Sequence, residues 1–473
     1  MHVTVLSPEQ INRIDEASLS ILQRTGILLP HPDMLSRFAD AGAQVDFAAQ
    51  RVRIPADLVK RCRQSAGKTY TLYGRDLAKK AEFGVGKRNY NSIGGEAMWV
   101  DGIAQPRRFP CLQDVANATR LADALPQITI AGAMADPHEL PVGWRCVAVM
   151  AEMLRNTTKP ITFFYRDRKS AEFLNEMVIA LRGDAQRAEQ YPVCYPFLEP
   201  ISPLRFPFDG VDLLYETAKL NLPVPIGPMA QMGVSAPMSL AATAAIENAE
   251  ILAGLCITQL IRTGMPVCYG GICHAFDMRT TQMIFSGPEQ AIFGVAMTQM
   301  GKHYGLPVYI NVGLTDSKRP DAQAGLEAGV TLALGAAAGA DIFGHLGICG
   351  VDQAASLDML ILQHEIIRYV ESCMRNLDYS DDAIPLDLID EVGPGGTFID
   401  SEHTARRFRE ELFIPEIFDR QFFQAWLDGG AVDTEQRCVE LRLRLLREHE
   451  VDHIPTELDR EFTRIVQAAQ RSL

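Results

Sequence analysis

The sequence predicts an α/β protein: a TIM-like (β/α)₈ barrel with an N-terminal α+β region and a C-terminal helical tail. After Cys111, apolar segments alternate regularly with helical patterns, as in βα units around a parallel sheet. Most of these segments are continuous apolar runs that follow a proline, which is typical of strands covered on both faces. No Gly-x-Gly-x-x-Gly motif follows a first strand, so the closed barrel is a better prediction than an open doubly wound sheet.

The eight strands of this barrel are assigned to apolar segments in chain order. They span residues 128–136, 160–167, 192–204, 224–232, 266–277, 307–316, 340–348 and 395–403. Short helical and hairpin-like patterns make residues 1–110 an α+β cap, and charged helical patterns make residues 413–473 a helical extension. The barrel domain is therefore assigned to residues 111–412. Helical tails of this kind often pack on a second copy of the chain, so we expect a homo-oligomer.

Composition excludes several classes of function. The 473-residue chain has a net charge of −14 and no cluster of lysine and arginine, so we expect neither nucleic acid nor a membrane surface as a partner. Its ten cysteines include no Cys-x-x-Cys pair, as in a reduced cytoplasmic protein, and no zinc-site spacing predicts a bound metal. The first residues predict a capped helix after Ser7 rather than a signal peptide, and no apolar run has membrane-spanning length.

Polar side chains follow the predicted strands, where the parallel strands of a barrel open into a common mouth. Active sites of such barrels are built at this end. The candidates are Asp136, His138, Arg166, Glu199, Ser202, Gln231, His274, Asn311, Asp316, His345 and His403. Any single one could equally be a helix cap or a hydrogen-bonded core residue, so the set predicts a site more strongly than its members do.

Aromatic residues alternate with these polar strand ends. They include Phe164, Tyr165, Tyr269, Tyr309 and Phe343. One interpretation is that the rings fill the barrel interior. The other is an aromatic cage for a quaternary ammonium ion, held by cation–π attraction of about 0.5–2 kcal/mol per ring. The sequence leaves both interpretations open.

Long segments of the chain resemble the trimethylamine methyltransferase superfamily. They include LRNTTKPI (154–161), TDSKRPDAQAGLEAG (315–329), GADIFGHLG (339–347) and VGPGGTFIDSEHTARRFREELFIPEIFDR (392–420). The resemblance covers nearly the whole chain. It implies a barrel enzyme that moves a methyl group from a methylamine to the cobalt of a corrinoid (cobalamin) supplied by a separate protein, with no metal bound directly by this chain.

The resemblance also directs attention to the stretch from Phe343 to Gly347. The namesake of the family carries pyrrolysine in this region, whereas this chain has ordinary amino acids and one extra residue. The corresponding position is therefore either His345 or Leu346. Relatives without pyrrolysine resemble demethylases of glycine betaine, proline betaine, carnitine or butyrobetaine. A quaternary amine suits this chemistry because its leaving group is a neutral tertiary amine.

The resemblance thus implies methyl transfer from a quaternary amine, with glycine betaine as the favoured donor. The predicted catalytic residues are His345, Leu346 and Asn311. The predicted substrate-binding residues are Phe164, Tyr165, Glu199, Gln231, Tyr269, His274 and Phe343, and the predicted corrinoid-binding residues are Gly270, Gly271, Gly344, Gly347 and His403. Three alternatives stay open: another betaine or trimethylamine as the donor, a barrel that binds betaine or corrinoid without turnover, and a lyase that uses Lys318 as a Schiff-base lysine.

Overall fold

The N-terminal region combines short helices with small antiparallel sheets. A computed structural model describes residues 1–102 and 104–473. The first elements are α1 (Pro8–Arg24), β1 (Ile27–Leu28), α2 (Pro32–Asp40), β2 (Gln44–Asp46), β3 (Arg51–Arg53), α3 (Ala56–Ser65), β4 (Tyr70–Tyr73), β5 (Lys80–Phe83) and β6 (Asn89–Ser92). Helix α1 begins with a capping box, in which the Ser7 hydroxyl accepts a hydrogen bond from the amide of Gln10.

The middle of the chain alternates strands and helices. Its elements are α4 (Leu112–Ala124), β7 (Ala131–Gly132), α5 (Arg145–Asn156), β8 (Ile161–Thr162), α6 (Arg168–Arg182), α7 (Ala185–Gln190), α8 (Phe208–Thr217), a 3₁₀ turn (Ala218–Leu220), β9 (Val224–Ile226), β10 (Gln231–Met232), α9 (Leu240–Ile261), β11 (Val267–Gly271), β12 (His274–Asp277), β13 (Gln282–Ile284), α10 (Pro288–His303), β14 (Val308–Ile310), α11 (Ala322–Ala338) and β15 (Ile342–Leu346). Helices connect successive parallel strands, as a βα barrel requires.

The last part of the chain is mainly helical, as predicted. Its elements are β16 (Ile348–Cys349), β17 (Ala354–Ala355), α12 (Leu357–Cys373), α13 (Leu386–Val392), α14 (Glu402–Glu411), α15 (Phe423–Asp428), α16 (Thr434–Glu448) and α17 (Thr456–Ser472). Helix α16 packs on α12 and α4, and α17 packs on α5 and α6. The tail therefore covers one side of the barrel.

Eight parallel strand segments form a closed ring. Strand β6 is bridged to the residue before β7, and β7 pairs with β8. Strand β8 donates a backbone hydrogen bond to the segment 193–198, which is bridged in turn to β9. Strands β9, β11, β14 and β15 then pair in order, and β15 pairs with β6. This last pairing closes the ring and confirms the predicted (β/α)₈ barrel.

One strand of the ring differs from the prediction. Residues 395–403 form turns and the start of α14, and Ser401 caps that helix by accepting a hydrogen bond from the Thr404 amide, so the predicted strand there is wrong. Strand β6 takes its place. Its sequence is polar because Asn89 and Asn91 face the barrel interior, so an apolar pattern could not reveal it. The division of the chain into three parts stays a prediction, and β6 precedes its first boundary.

The protein has an outer and an inner apolar core. The outer core lies between the strands and the helices. The inner core lies inside the barrel and contains Ile130, Cys268, Tyr309 and Ile342. The β4–β5 hairpin contributes Leu72 to this core and plugs the end at which the strands begin. The opposite end, where the strands finish, is the mouth at which barrels of this kind bind ligands.

Helix α9 is an apolar helix of the outer core. It is long and apolar enough to cross a membrane, but 78% of its apolar window is buried within the protein. Two carboxyl groups on its barrel side, those of Glu247 and Glu250, accept hydrogen bonds from the backbone beyond the strand ends. We therefore interpret α9 as a core helix that fixes the mouth of the barrel.

Candidate functional site

A β-bulge in β15 turns the His345 side chain toward the barrel interior. Strand β15 pairs with β6 at Phe343 and again at Leu346, three residues later. The partner residues on β6, Tyr90 and Ser92, are only two residues apart, so β15 has one extra residue between the two pairs. His345 lies in this bulge with a φ of +71°, a left-handed conformation uncommon for residues other than glycine. Bulges frequently turn side chains toward active sites.

His345 faces side chains from the neighbouring strand. The ring centroids of His345 and Tyr309 are 5.8 Å apart. Asn311 follows Tyr309 by two residues, so it faces the same side, and it is fully buried. Gly344 makes this arrangement possible, because a Cβ there would lie 1.7 Å from the Tyr309 hydroxyl oxygen. The bulge and the end of β14 thus meet inside the barrel.

Several buried polar atoms at this end of the barrel have no hydrogen-bond partner among the described residues. They are both side-chain amide atoms of Asn311, both ring nitrogens of His274 and Nδ1 of His345. An unpartnered buried polar group costs about 1–3 kcal/mol, so such groups are rare in native proteins and require an explanation. A bound ligand would complete them, and these three residues are the clearest markers of a site.

The two histidines are neutral at neutral pH. Burial lowers the pKa of His274 to about 3, and the proximity of His345 contributes to that shift. Burial also lowers the pKa of His345 to about 4. The His274 ring stacks on Phe285 with a centroid distance of 4.5 Å, which fixes its plane. Neutral imidazoles can form hydrogen bonds without repelling a cation.

Three carboxyl groups belong to the same region. Glu96 and Asp352 contact each other, and burial raises the pKa of both. Glu199 lies at the mouth, where part of its surface is exposed. Desolvation, followed by the charge of Asp352, nevertheless raises its pKa to about 7. Burial is the main cause that raises the pKa of Tyr309, followed by Tyr195, with Cys268 and Glu199 contributing less. In the described part of the chain, no three His, Cys, Asp or Glu side chains are arranged to hold a metal ion.

A small sheet at the mouth fixes Gln231 and His274. These two residues lie opposite each other in the parallel β10–β12 pair, and β13 adds a third strand. Below them, Glu247 of α9 accepts hydrogen bonds from the amides of Ala230 at 2.9 Å and Ile272 at 2.8 Å. One buried carboxyl group therefore holds both segments that carry the polar residues.

Comparison with known proteins assigns this chain to a protein family. A sequence profile described as "Trimethylamine methyltransferase (MTTB)" matches residues 1–473. The chain belongs to this family. It is 29% identical over 471 residues to the glycine betaine methyltransferase of Desulfitobacterium hafniense strain Y51, covering 99% of this chain and 97% of that protein. It is 26% identical over 464 residues to the trimethylamine methyltransferase MttB of Desulfitobacterium hafniense strain DCB-2, covering 98% of this chain and 93% of that protein.

Further matches have the same extent. The trimethylamine methyltransferase MttB of Methanosarcina thermophila is 27% identical over 478 residues, covering 97% of this chain and 96% of that protein. Among solved structures, the Methanosarcina barkeri monomethylamine methyltransferase (MtmB) aligns with a TM-score of 0.49 and 11% identity, covering 98% of this chain and 91% of that one. The predicted superfamily is confirmed by the sequence matches, which extend over the full barrel and both flanking regions.

Phe164 and Tyr165 line a pocket between the ends of β6, β7 and β8 and helix α5. The pocket has a volume of about 330 Å³, and Arg145 and Arg166 contribute to its wall. The Phe164 ring is exposed, whereas the Tyr165 hydroxyl lies 3.2 Å from the sulfur of Cys194. The predicted contact of both rings with substrate stays a prediction, and this pocket is the alternative place for a ligand.

Tyr269 and Phe343 lie on the outer faces of their strands, so the prediction that they contact the substrate is wrong. The Tyr269 hydroxyl donates to the Asn248 side chain on α9 at 2.8 Å. Phe343 stacks on Tyr90 in the outer core, with ring centroids 5.1 Å apart. Strand residues alternate between two faces, and these strands are apolar on both, so the sequence could not indicate which rings face inward.

Leu346 and His403 also lie away from the barrel interior. Leu346 is fully buried in the outer core against Gly313, so His345 is the inward-facing member of the pair that the sequence left open. His403 occupies the first turn of α14, with its Nε2 atom 2.9 Å from the carbonyl oxygen of Asp382. The prediction that His403 follows a barrel strand is wrong, because its segment is not a strand.

The four glycines predicted to contact the corrinoid are buried in the barrel wall. A Cβ on Gly270 would lie 2.4 Å, and one on Gly271 or Gly347 2.2 Å, from atoms of neighbouring elements. Gly344 makes room for Tyr309, as described above. Each glycine therefore has a packing reason to be glycine, and their contact with a corrinoid stays a prediction.

The sequence analysis missed Glu96 and Asp352. Glu96 follows Gly94 and Gly95 just beyond β6, a strand that no apolar pattern reveals. The Gly-Gly-Glu motif was the available signal. Asp352 and the preceding Val351 have φ values of +56° and +64°, and such strained conformations cluster at functional sites.

Proposed function

We propose that this protein is a methyltransferase that takes a methyl group from a quaternary amine, glycine betaine in the first place, and passes it to the cobalt of a corrinoid carried by a partner protein. The observation that supports this most strongly is the combination of unpartnered polar groups and carboxyl groups around Tyr309 and His345. Relatives named glycine betaine methyltransferase and trimethylamine methyltransferase support the reaction class.

The site suits a small zwitterion with a fixed positive charge. Glu199 lies near Tyr309 and Asp352 lies near Glu199, so carboxyl groups that can face a cation are close to the Tyr309 ring, which adds cation–π attraction of about 0.5–2 kcal/mol. A trimethylammonium group donates no hydrogen bond, so it needs charge and shape rather than acceptors. The carboxylate of a betaine, in contrast, accepts hydrogen bonds, and the unpartnered amide of Asn311 is a suitable donor.

The chemistry demands little acid or base from the protein. The bond between nitrogen and the transferred methyl carbon breaks with its electrons going to nitrogen, so a neutral tertiary amine leaves without a proton. This fits His345, whose lowered pKa of about 4 leaves it uncharged at neutral pH. The corrinoid, bound through its own protein, would supply the nucleophilic cobalt. The residues of this chain would hold the amine with one methyl group directed at the mouth, which is catalysis by positioning.

The test is a methyl-transfer assay with a panel of donors. The purified protein is mixed with the cognate corrinoid protein in its Co(I) form and with glycine betaine, proline betaine, carnitine, choline or trimethylamine. We expect a betaine to give the spectral change from Co(I) to methyl-Co(III). Activity on trimethylamine alone would contradict the proposal. Silence with every donor, from a corrinoid protein that still accepts a methyl group from methyl iodide, would favour a barrel that binds without turnover.

A pair of variants tests the site itself. His345→Ala should lower the rate of methyl transfer about 100-fold, because it removes a group that positions the amine. His303→Ala is the matched control, since this histidine lies at the exposed end of α10. Equal rates in the two variants would contradict the assignment of His345.

A further inference from the structure

We infer that this chain forms a dimer in which an arm of each copy, residues 377–427, lies on the outer face of helix α11 of the other copy. The inference goes beyond the proposed function and does not depend on it. It rests on two apolar surfaces at separate places in the fold, which the described part of the chain leaves open to solvent.

The arm is a folded segment that has almost no core of its own. The structure describes all of its residues, and only Ile417 among them is buried. Its helices α13, α14 and α15 contain no buried residue. Helices shorter than about 12–15 residues are marginal in water, and these helices have 7, 10 and 6 residues. The arm therefore needs a further surface to pack on.

The exposed apolar area of the arm is larger than a monomer usually leaves open to water. Thirteen large apolar residues of the arm are exposed, among them Phe422 by 92% and Ile399 by 82%. The five aromatic ones together expose roughly 600 Å², at about 150–250 Å² for a complete side chain. The largest apolar patch of a typical monomer is about 300–600 Å², and a stable interface takes about 800 Å² from each partner. With its eight aliphatic residues, the arm supplies that area.

Ion pairs hold the arm together but do not attach its outer part to the barrel. Arg407, only 12% exposed, donates to Asp382 at 2.7 Å and to Asp378 at 3.0 Å. It also donates to Glu411 at the end of α14, at 2.8 Å. Among the described residues, 377–410 are joined by hydrogen bonds and ion pairs only to other residues of the arm. The paired charges thus form the inside of the arm, while its apolar side chains stay exposed.

Only the base of the arm is fixed to its own barrel. Arg368 of α12 donates to the Ile414 carbonyl at 3.0 Å. Glu365, also on α12, accepts a hydrogen bond from the Glu416 amide at 2.7 Å. The part before these contacts protrudes, so it can reach the surface of a second molecule.

Helix α11 has the second uncovered apolar surface. Leu326 and Val330 lie one turn apart on its outer side and are exposed by 67% and 48%. Gly325 leaves open space beside them, since a Cβ there would meet no atom within 4 Å. The one charged residue of the helix, Glu327, accepts a hydrogen bond from the Asp316 amide at 2.8 Å. Surface helices normally present polar residues to water, so this face suits an apolar partner.

A second copy of the chain covers both surfaces at once. In a dimer with two-fold symmetry, each arm meets the same face of the other copy, so the contact is made twice. A partner that binds and leaves would expose the arm between encounters, whereas a permanent second copy keeps it covered. The exposed acidic groups of the arm meet no free carboxylate on α11, because Glu327 is bonded within its own chain.

The charge of the chain gives this contact a characteristic salt dependence. Each copy has a net charge of −14, and the arm has twelve acidic residues against four arginines, so two copies repel each other at low ionic strength. Salt screens this repulsion and leaves the apolar contact in place, so the dimer should tighten as salt is added. Docking of the acidic arm on a basic partner would instead weaken with salt.

Sedimentation equilibrium of the chain at micromolar concentration tests the inference. We expect twice the 52.2 kDa mass of one chain. An arm variant, Ile399→Glu with Phe422→Glu, and a face variant, Leu326→Glu with Val330→Glu, should each raise Kd at least about 100-fold, because they place charges in an apolar contact. Phe47→Glu is the matched control, since this residue is 56% exposed in the turn after β2, and it should stay dimeric. Circular dichroism checks that all variants are folded.

Mixing the two variants tests which surfaces meet. The arm variant keeps an intact α11 and the face variant keeps an intact arm, so a mixed dimer has one of its two contacts. We expect the mixture to form dimers more tightly than either variant alone. A monomeric wild type, dimeric variants, or no recovery on mixing would overturn the inference. A monomeric wild type whose arm variant no longer binds the corrinoid protein would also overturn it and assign the arm to that partner.

Discussion

Asp341 at the base of the barrel interior and Asn311 at its mouth are both buried, but they differ in how their polar atoms are bonded. At the base, Asp341 accepts hydrogen bonds from the amides of Gly84 at 2.9 Å and Val308 at 2.8 Å and also pairs with Lys302. At the mouth, Asn311 is equally buried, yet its amide has no partner among the described residues. Asp341 at the base therefore serves the fold, whereas the Asn311 amide at the mouth is available to a ligand.

The largest expected effect is at the base. Asp341→Ala removes the acceptor for two backbone amides, each of which costs about 1–3 kcal/mol when left without a partner, so the free energy of unfolding should fall by about 2–5 kcal/mol. Urea unfolding measures this change. Asp57→Ala, at the exposed start of α3, is the control and should cost less than about 1 kcal/mol. A small loss for Asp341→Ala would show that the base is not held as described.

The corresponding change at the mouth should affect function rather than stability. Asn311→Leu removes an amide that has no partner, so the free energy of unfolding should stay within about 1 kcal/mol of the wild type or rise. The rate of methyl transfer should fall about 100-fold, which corresponds to about 2.7 kcal/mol of transition-state stabilisation. A variant that unfolds readily but keeps its activity would reverse the comparison between the two ends.

The sequence predicted the barrel because its strands carry a strong local signal. Proline-preceded apolar runs such as 307–316 and 340–348 correspond to β14 and β15 of the ring. Strand β6 could not be found this way, because its inward residues are asparagines, and Asn89 finds its partners Glu82 and Asp341 only in the folded barrel. The false strand at 395–403 has the opposite cause: its apolar residues Phe398 and Ile399 are exposed, so they belong to no core.

Only part of the candidate site could be predicted from the sequence. His274, Asn311 and His345 follow strands in the sequence, and the structure brings them to the mouth. Whether the side chains of Tyr269 and Phe343 face the barrel interior or the outer helices depends on the register of their strands. A run that is apolar on both faces does not reveal this register in the sequence. Glu96 and Asp352 lie far apart in the chain, and their contact depends on closure of the ring by β6.

A smaller effect is expected from the carboxyl group below the mouth. Glu247→Gln replaces an acceptor of two backbone amides by a group with one acceptor oxygen, so the segments that carry Gln231 and His274 should lose their alignment. We expect KM for the amine to rise about tenfold, or about 1.4 kcal/mol, with kcat changed less than twofold. A purely structural role would instead lower the amount of active enzyme and leave KM unchanged.

The smallest expected effect is a pH dependence of stability. The pKa of His345 is about 4 in the folded protein and about 6.5 in the unfolded chain, so only the unfolded chain takes up this proton between these values. Stability from this residue is complete above pH 6.5 and is lost as the pH falls toward 4. Relative to His345→Asn, the wild type should lose about 0.5 kcal/mol between pH 6.0 and 5.5. Parallel curves for the two proteins would mean that the pKa of the ring is the same in the folded and unfolded states, which would contradict its burial as described.

The most direct test of the account is a crystal structure of the protein with glycine betaine. The account predicts electron density for the ligand inside the mouth, with the trimethylammonium group between the Tyr309 ring and the carboxyl groups of Glu199 and Asp352, and with its carboxylate at Asn311. Density for the ligand in the pocket lined by Phe164 and Arg145, with the barrel interior unchanged, would contradict it.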